Sequence, residues 1–285
     1  MRPDLRLDLE RDDAAPMALV PRIDLWWKCL DIDEASCTRF AALLSDEERR
    51  SAERFRSPLD RRRYSVRRGS LRELLAGYLG CEPWDVSITH NAFGKPRVEG
   101  ADVKFSLSHS RGMALYAFAR GPEIGCDIEW QDSRFATRET AELFLSAPEI
   151  ESLRSLPERQ WMQAFFHHWT CKEAYLKARG VGFALPPREV AVSQAGRPRF
   201  IALPDDDPAE WSLAHFNLPA GYAGALAVHG PAPIISSRSQ VERPRWSRAQ
   251  GRSRNLPQTL IAKPDRTFGP WRATDPKLTF GGDQP

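Results

Sequence analysis

"SLRELLAGYLG", residues 70–80, has a counterpart in "TCKEAYLKARG", residues 170–180. Both place a basic residue before a glutamate at the same point, Arg72-Glu73 and Lys172-Glu173, and both end on a glycine, Gly80 and Gly180. A glycine there reads as the left-handed residue that closes a helix. The correspondence continues on either side. Upstream, Ser45-x-x-Glu48 matches Ser146-x-x-Glu149, each a capping-box signature of a helix start. Downstream, "FGKPR" (93–97) matches "AGRPR" (195–199), and "FSLSH" (105–109) matches "WSLAH" (211–215). The separation is 100 residues at the first pair (70 against 170) and 106 at the last (105 against 211). Landmarks in one order at slowly growing offsets divide the chain into two similar halves, 18–118 and 119–230.

Each half reads as a capped helix, a long helix, a strand, a Gly-x-Pro turn and two more strands. Residues 86–89 and 190–192 supply the first strand, 104–108 and 211–215 the second, 113–119 and 222–228 the third. Strands in runs with helices segregated between them predict an α+β fold, a pseudo-dimer of two similar halves with an active-site cleft between them. Such a chain already contains the interface that a symmetric protein makes by association, so a monomer is expected.

The bulk composition narrows the class. Of 285 residues, 41% are hydrophobic and 28% charged, as in soluble globular proteins. No apolar run is long enough for a membrane helix, and the first residues, MRPDLRLDLERDD, are too charged for a secretion signal. Cys29, Cys37, Cys81, Cys126 and Cys171 form no C-x-x-C pair and are odd in number, which suits a reducing cytoplasm. The net charge of +3 is uneven. Residues 231–285 hold ten Lys/Arg against four Asp/Glu, and eight of the 23 prolines. That segment is expected to be a disordered basic tail, either a plain solvated extension or a weak contact for an acidic partner. Residues 1–17 are expected to be a flexible N-terminus.

The halves also differ, and the differences carry charge. "GCDIEW" (125–130) reads as a strand with Ile124, Cys126 and Ile128 on one face and Asp127 and Glu129 on the other, their carboxylates roughly 6–7 Å apart. Either the second face is a wet edge or it meets a cation. In the long helix, Met162, Phe165, Phe166 and Trp169 form an apolar stripe that runs into Lys172, Glu173, Leu176 and Lys177. Glu173 and Lys177 are either an i→i+4 pair on an exposed helix end or charges carried towards the interior. Two carboxylates about 5 Å apart repel by roughly 3 kcal/mol at an effective dielectric near 20, and a divalent cation reverses the sign. Carboxylates with waters and phosphate oxygens suit Mg²⁺. The first half offers the complementary chemistry. "RRRYSVRR" (61–68) supplies five arginines, "FGKP" places Lys95 in a turn, and "LSHS" sets Ser108, His109 and Ser110 at a strand end, all groups that bind phosphate.

"FGKP", "FSLSHS", "IGCDIE" and "WTCKEAYLKARGVGF", in this order and spacing, resemble the Sfp-type 4′-phosphopantetheinyl transferases of the holo-acyl-carrier-protein synthase superfamily. The resemblance covers roughly 20–230 and is most specific at W-(S/T)-x-K-E-(A/S)-x-x-K, here Trp169 to Lys177. It implies the two-half fold of that family and Mg²⁺-dependent transfer of phosphopantetheine from coenzyme A to a serine of an apo acyl, polyketide or peptidyl carrier protein, releasing adenosine 3′,5′-bisphosphate. By the same resemblance, Asp127, Glu129 and Glu173 are metal ligands. Lys177, with Lys172 beside it in the motif, meets the phosphates. Ser108 and His109 sit at the 3′-phosphate, with Arg63 near the nucleotide and Lys95 in the same pocket. Glu173 or Glu149 takes the serine proton. The segment "SDEERRSAERF" begins acidic where the family is often basic, so no coenzyme A contact is assigned there.

Two readings compete. A metal-dependent nuclease would use "DIE", the Glu-x-x-x-Lys helix and the basic tail, but residues 1–230 carry a net charge of −3. A non-catalytic coenzyme A binder would keep the phosphate groups and lose part of the acidic set, and none of that set is missing. No nucleic-acid or membrane partner is therefore expected.

Overall fold

Short polar caps decide where the helices begin. Asp33 accepts from Ser36 N at 2.9 Å and opens α1 (Glu34–Ala41). Ser45 and Glu48 close a reciprocal capping box on α2 (Asp46–Glu53). Pro58 sits in the first turn of the 22-residue α3 (Pro58–Leu79), which ends on Gly80 at φ 69°. A computed structural model describes residues 20–193, 196–218 and 221–239. In its second part the same devices recur. Thr137 caps α4 (Arg138–Phe144), Ser146 and Glu149 box α5 (Ala147–Arg154), and the 22-residue α6 (Glu158–Arg179) ends on Gly180 at φ 64°.

The strands are β1 (Arg22–Cys29), β2 (Ile88–His90), β3 (Pro96–Val98), β4 (Lys104–Ser110), β5 (Met113–Ala119), β6 (Ile124–Trp130), β7 (Ala191–Val192), β8 (Phe200–Ala202), β9 (Trp211–Leu218), β10 (Tyr222–His229) and β11 (Ile234–Ser239). They form a four-stranded sheet in the order β11-β1-β5-β4, a three-stranded sheet β6-β10-β9, and the pairs β2-β3 and β7-β8. The run from β1 to β5 and the run from β6 to β10 thus place matching elements in matching order. The mixed α+β architecture is as expected.

Three of the buried layers position the two main sheets and the long helices. Val66, Leu71, Leu74 and Leu75 of α3 pack on Trp26, Phe105, Tyr116 and Phe118 of the first sheet. Cys171, Ala174, Tyr175 and Ala178 of α6 pack on Val192, Trp211, Leu213, Ala225 and Ala227. Between the sheets, Ile23, Leu25, Leu115 and Ala117 meet Ile124, Cys126, Ile128, Leu226 and Val228. Removing such apolar surface from water is the main favourable term in folding.

Two elements depart from the reading of the sequence. β1 carries no clean alternation because both its faces are covered, Ile23 and Leu25 by the second sheet and Trp26 by α3. The segment from 231, expected as a disordered basic tail, contains a strand. Residues 234–239 form β11, parallel to β1 from Arg22↔Ile234 to Trp27↔Ser239, and so occupy an edge that would otherwise leave backbone groups unpaired. The N-terminal segment 1–17 and the tail from 240 onward lie outside the described residues. No helix among the described residues is long and apolar enough to cross a membrane.

Candidate active site

Gly125 sets the site. A Cβ there would lie 2.0 Å from the carbonyl oxygen of Ala174 and 2.3 Å from the nitrogen of Ala178, so α6 rests directly on β6. The contact brings Glu173 and Lys177, one helical turn apart, over the polar face of the strand. Asp127 is 1% exposed. Its Oδ1 accepts from Lys177 Nζ at 2.6 Å and from Ser108 Oγ at 2.7 Å, and Lys177 also donates to Ser108 Oγ at 2.8 Å. Glu129, two residues on, accepts from Ser110 Oγ at 2.7 Å. Ile124, Cys126 and Ile128 point the other way, into the layer between the sheets.

The electrostatics are those of an acidic cluster with one cation. Burial pushes the Glu173 carboxyl up to about 8; Lys177 opposes the rise, and the charges of Asp127 and Glu129 add to it. Burial pulls on Lys177 in the opposite sense, but Asp127 and Glu173 hold its ammonium above the ordinary lysine range. Asp127 Oδ2 and Glu173 Oε1 are buried without a hydrogen-bond partner. An unpartnered buried carboxylate oxygen is costly, and a cation satisfies it. The hard oxygen donors therefore fit Mg²⁺ in kind. Among the described residues no three His, Cys, Asp or Glu side chains already form a metal-binding group.

The five arginines of 61–68 diverge. Arg63 is held by Asp31 through two bonds of 2.7 and 2.8 Å, and Arg67 meets the imidazole of the exposed His109 at the end of β4. Arg68 turns inward to Glu48 at 3.0 Å. Arg61 reaches the carbonyl of Phe55 at 3.2 Å. Ser108 lies in the carboxylate cluster, whereas His109 beside it points to the arginines, as alternation on a strand requires.

Three expected site residues are placed elsewhere. Glu149 is 4% exposed and accepts from Ser146 N at 2.7 Å and Val192 N at 2.8 Å, and it pairs with Lys172 at 2.6 Å. Lys172 is fully buried and spends its other donors on the carbonyls of Pro187 and Val190. With these bonds turned inward, Glu149 acts as a capping carboxylate and Lys172 as its buried counter-ion. Lys95 donates to Glu123 at 2.8 Å and to the Ala178 carbonyl at 2.6 Å, while Asn91 of the same turn donates to the Gly180 carbonyl at 2.8 Å. A cation on the last carbonyls of a helix is favourable, so the FGKP turn clamps the end of α6. Sequence reasoning missed Gly125 as the contact point and Ser110 as a partner of Glu129. The only signal for the latter was the i, i+2 spacing of Ser108 and Ser110, which matches that of Asp127 and Glu129.

The chain is similar to several known proteins. A family model described as the 4′-phosphopantetheinyl transferase superfamily matches residues 123–227, from the start of β6 into β10. The 4′-phosphopantetheinyl transferase HetI of Nostoc sp. strain PCC 7120 is 38% identical over 217 residues, which cover 74% of this chain and 90% of that protein. The 4′-phosphopantetheinyl transferase Sfp of Bacillus subtilis strain 168 is 28% identical over 196 residues, covering 68% of this chain and 85% of that protein. The 4′-phosphopantetheinyl transferase psf-1 of Bacillus pumilus is 30% identical over 192 residues, covering 66% and 80%. This chain belongs to the 4′-phosphopantetheinyl transferases and is an enzyme of that class.

Proposed function

We propose that the enzyme moves the phosphopantetheine arm of coenzyme A to a serine hydroxyl of an apo acyl, polyketide or peptidyl carrier protein, with Mg²⁺, and releases adenosine 3′,5′-bisphosphate. The observation that carries the reading is the convergence of Asp127, Glu173 and Lys177 on one buried spot beside Ser108, with two carboxylate oxygens lacking partners. The runs from β1 to β5 and from β6 to β10 are then the halves of a pseudo-dimer. The first half, 18–118, supplies Arg63, Ser108 and His109 to the nucleotide side of the cleft, and the second supplies the acidic residues. A single chain suffices, working in the cytoplasm.

Asp127, Glu129 and Glu173 would hold the ion. Bound there, it would supply positive charge to the pyrophosphate oxygens, on which charge builds as the bond to the leaving nucleotide breaks. Lys177, which donates to Asp127 Oδ1 and Ser108 Oγ, would lend its ammonium to the same phosphates. The attacking oxygen comes from the partner's serine, so no nucleophile is needed from this chain. The new P–O bond forms as the P–O bond to the nucleotide breaks, and the serine proton passes to Glu173, directly or through water. The bonds of Glu149 to Ser146 N, Val192 N and Lys172 favour Glu173 over it for that role.

Mass spectrometry of an apo carrier protein incubated with this enzyme, coenzyme A and Mg²⁺, beside an EDTA control, tests the reading. A metal-dependent gain of one phosphopantetheine on the carrier serine is expected. Equal transfer in EDTA would overturn the metal assignment, and no transfer to any of several carrier types would overturn the substrate assignment.

A further inference from the structure

The outer strands β4 and β6 of the two main sheets run side by side in the same direction, although no backbone ladder joins them. Serine side chains make the seam. Ser106, Ser108 and Ser110 are buried and share one face of β4. Ser106 Oγ accepts from Cys126 N at 3.0 Å, and Ser110 Oγ accepts from Trp130 N at 3.0 Å. A hydroxyl has one proton to give. Ser108, which accepts from Lys177, gives its proton to Asp127 Oδ1; Ser110, which accepts from Trp130 N, gives its own to Glu129 Oε2. Both serine–carboxylate pairs are 19 residues apart in the chain, so the i, i+2 spacing of one strand is keyed to the i, i+2 spacing of the other.

We propose that Ser108 and Ser110 are a matched pair of positioning residues, each fixing the rotation of one carboxylate of the Asp127-x-Glu129 pair so that both present oxygens to a single divalent cation. Both hydroxyl protons are directed to the acidic pair. At Asp127 the division is visible, because Oδ1 carries both bonds and Oδ2 is left for the ion. Partners that orient metal ligands are typically worth about 10–100-fold in metal affinity. The inference rests on the metal reading given above.

Mn²⁺ binding to the full-length enzyme in the presence of coenzyme A, read by the loss of the free-ion paramagnetic resonance signal, is the test. Ser110→Ala should weaken Mn²⁺ binding about 10-fold or more and raise the Mg²⁺ concentration for half-maximal transfer in step, leaving kcat at saturating Mg²⁺ within about twofold. Ser110→Thr, which keeps the hydroxyl, should restore binding. Ser106→Ala removes a seam contact without touching a carboxylate and should leave Mn²⁺ binding unchanged. Wild-type affinity in Ser110→Ala, or an equal loss in Ser106→Ala, would overturn the proposal while the metal reading stands. Absence of Mn²⁺ binding in the unaltered enzyme would overturn both. Should Ser110→Ala not fold, Ser110→Cys, with its weak donor, should bind with intermediate affinity, and wild-type affinity there would again overturn the proposal.

Discussion

The Lys172 ammonium lies 2.6 Å from the Glu149 carboxylate in the second half of the chain, and Arg72 and Glu48 repeat the relationship in the first, at 2.5 Å. The match extends to the helix cap and to the carbonyl partners. Glu149 caps its helix through Ser146 N, and Glu48 through Ser45 N. Lys172 donates to the carbonyls of Pro187 and Val190, and Arg72 to those of Pro83 and Val86. In each half one cation on the long helix ties the cap of the preceding helix to the loop that follows. All four side chains are less than a tenth exposed. A charge in such a place is tolerated only while it is paired.

Lys172→Met follows from this pairing. It strands the Glu149 carboxylate in the interior, and breaking a buried pair by removing one partner costs about 3–5 kcal/mol. Urea unfolding should show that loss, while kcat and the KM for coenzyme A, measured at a low temperature where the variant is folded, stay near those of the parent enzyme. A large fall in turnover of the folded variant would return Lys172 to the phosphate site.

Asp127→Asn keeps the shape of the side chain and its place beside Ser108 and removes the charge. Transfer should fall by about 10²–10³-fold or more, the scale on which single groups stabilising charge in a transition state are measured. The circular dichroism spectrum should be unchanged. Full activity at ordinary Mg²⁺ concentrations would remove Asp127 from the metal set.

What could be read from the residues depended on how local the cause was. The helix ends at Gly80 and Gly180 and the capping boxes at Ser45 and Ser146 are short-range chemistry, and they stood out. The two faces of β6 were legible because one is wholly apolar and the other carries Asp127 and Glu129. β1 was not, because a strand buried on both faces has no alternation to display, and β11 was not, because six residues gain their structure only from the distant edge of β1. The inward bonds of Glu149, Lys172 and Lys95 were not legible for another reason. A buried ion pair and a phosphate site draw on the same residue types, and only the direction of the bonds separates them.

Gly125→Ala tests the contact between strand and helix. A methyl group 2.0 Å from a backbone oxygen of α6 meets atoms that cannot rotate away, so the helix must move. Glu173 and Lys177 flank that contact and would move with it. Overpacking of this kind typically costs about 1–3 kcal/mol, and a displacement of about 1 Å at reacting groups can cost about 10²-fold in rate. Both losses should appear together, in urea unfolding and in transfer assays. An active, stable Gly125→Ala enzyme would show that α6 stands clear of β6.

The imidazoles on the far side of α6 predict acid sensitivity. His168 is fully buried, with its Nδ1 3.5 Å from Glu149, and burial pulls it down to about 4, Glu149 opposing and His167 and Lys172 adding to the fall. Burial with His167 and His168 nearby also takes His215 down to about 4. Between pH 6.5 and about 4 the unfolded chain binds protons that the folded one refuses, so stability is full above that window and is lost as the pH falls through it. For His168 the fall from 6.5 to about 4 corresponds to about 3 kcal/mol. Unfolding free energies measured from pH 7 to 4.5 should decline with acid, and the decline should be shallower in His168→Gln. An identical slope in the variant would locate the acid sensitivity elsewhere.

Two truncations separate β11 from the residues beyond it. Ending the chain after Ser239 keeps the parallel pairing of β11 with β1, and both the thermal midpoint and the transfer rate should match those of the full chain. Ending it after Gly230 removes six strand residues, the bond from Ile234 N to the Pro21 carbonyl at 2.8 Å, and the Arg238 guanidinium that lies 5.3 Å over the Trp26 ring. The backbone groups of β1 along that edge would then be open to water or to another chain. The shorter protein should melt several degrees lower, since about 1 kcal/mol moves the midpoint of a domain of this size by about 2–4 °C. It should also self-associate in a concentration-dependent way, visible by light scattering. Equal midpoints for the two truncations would show that the edge of β1 needs no partner, whereas a loss on cutting after Ser239 would assign a role in folding or carrier binding to the basic segment beyond it.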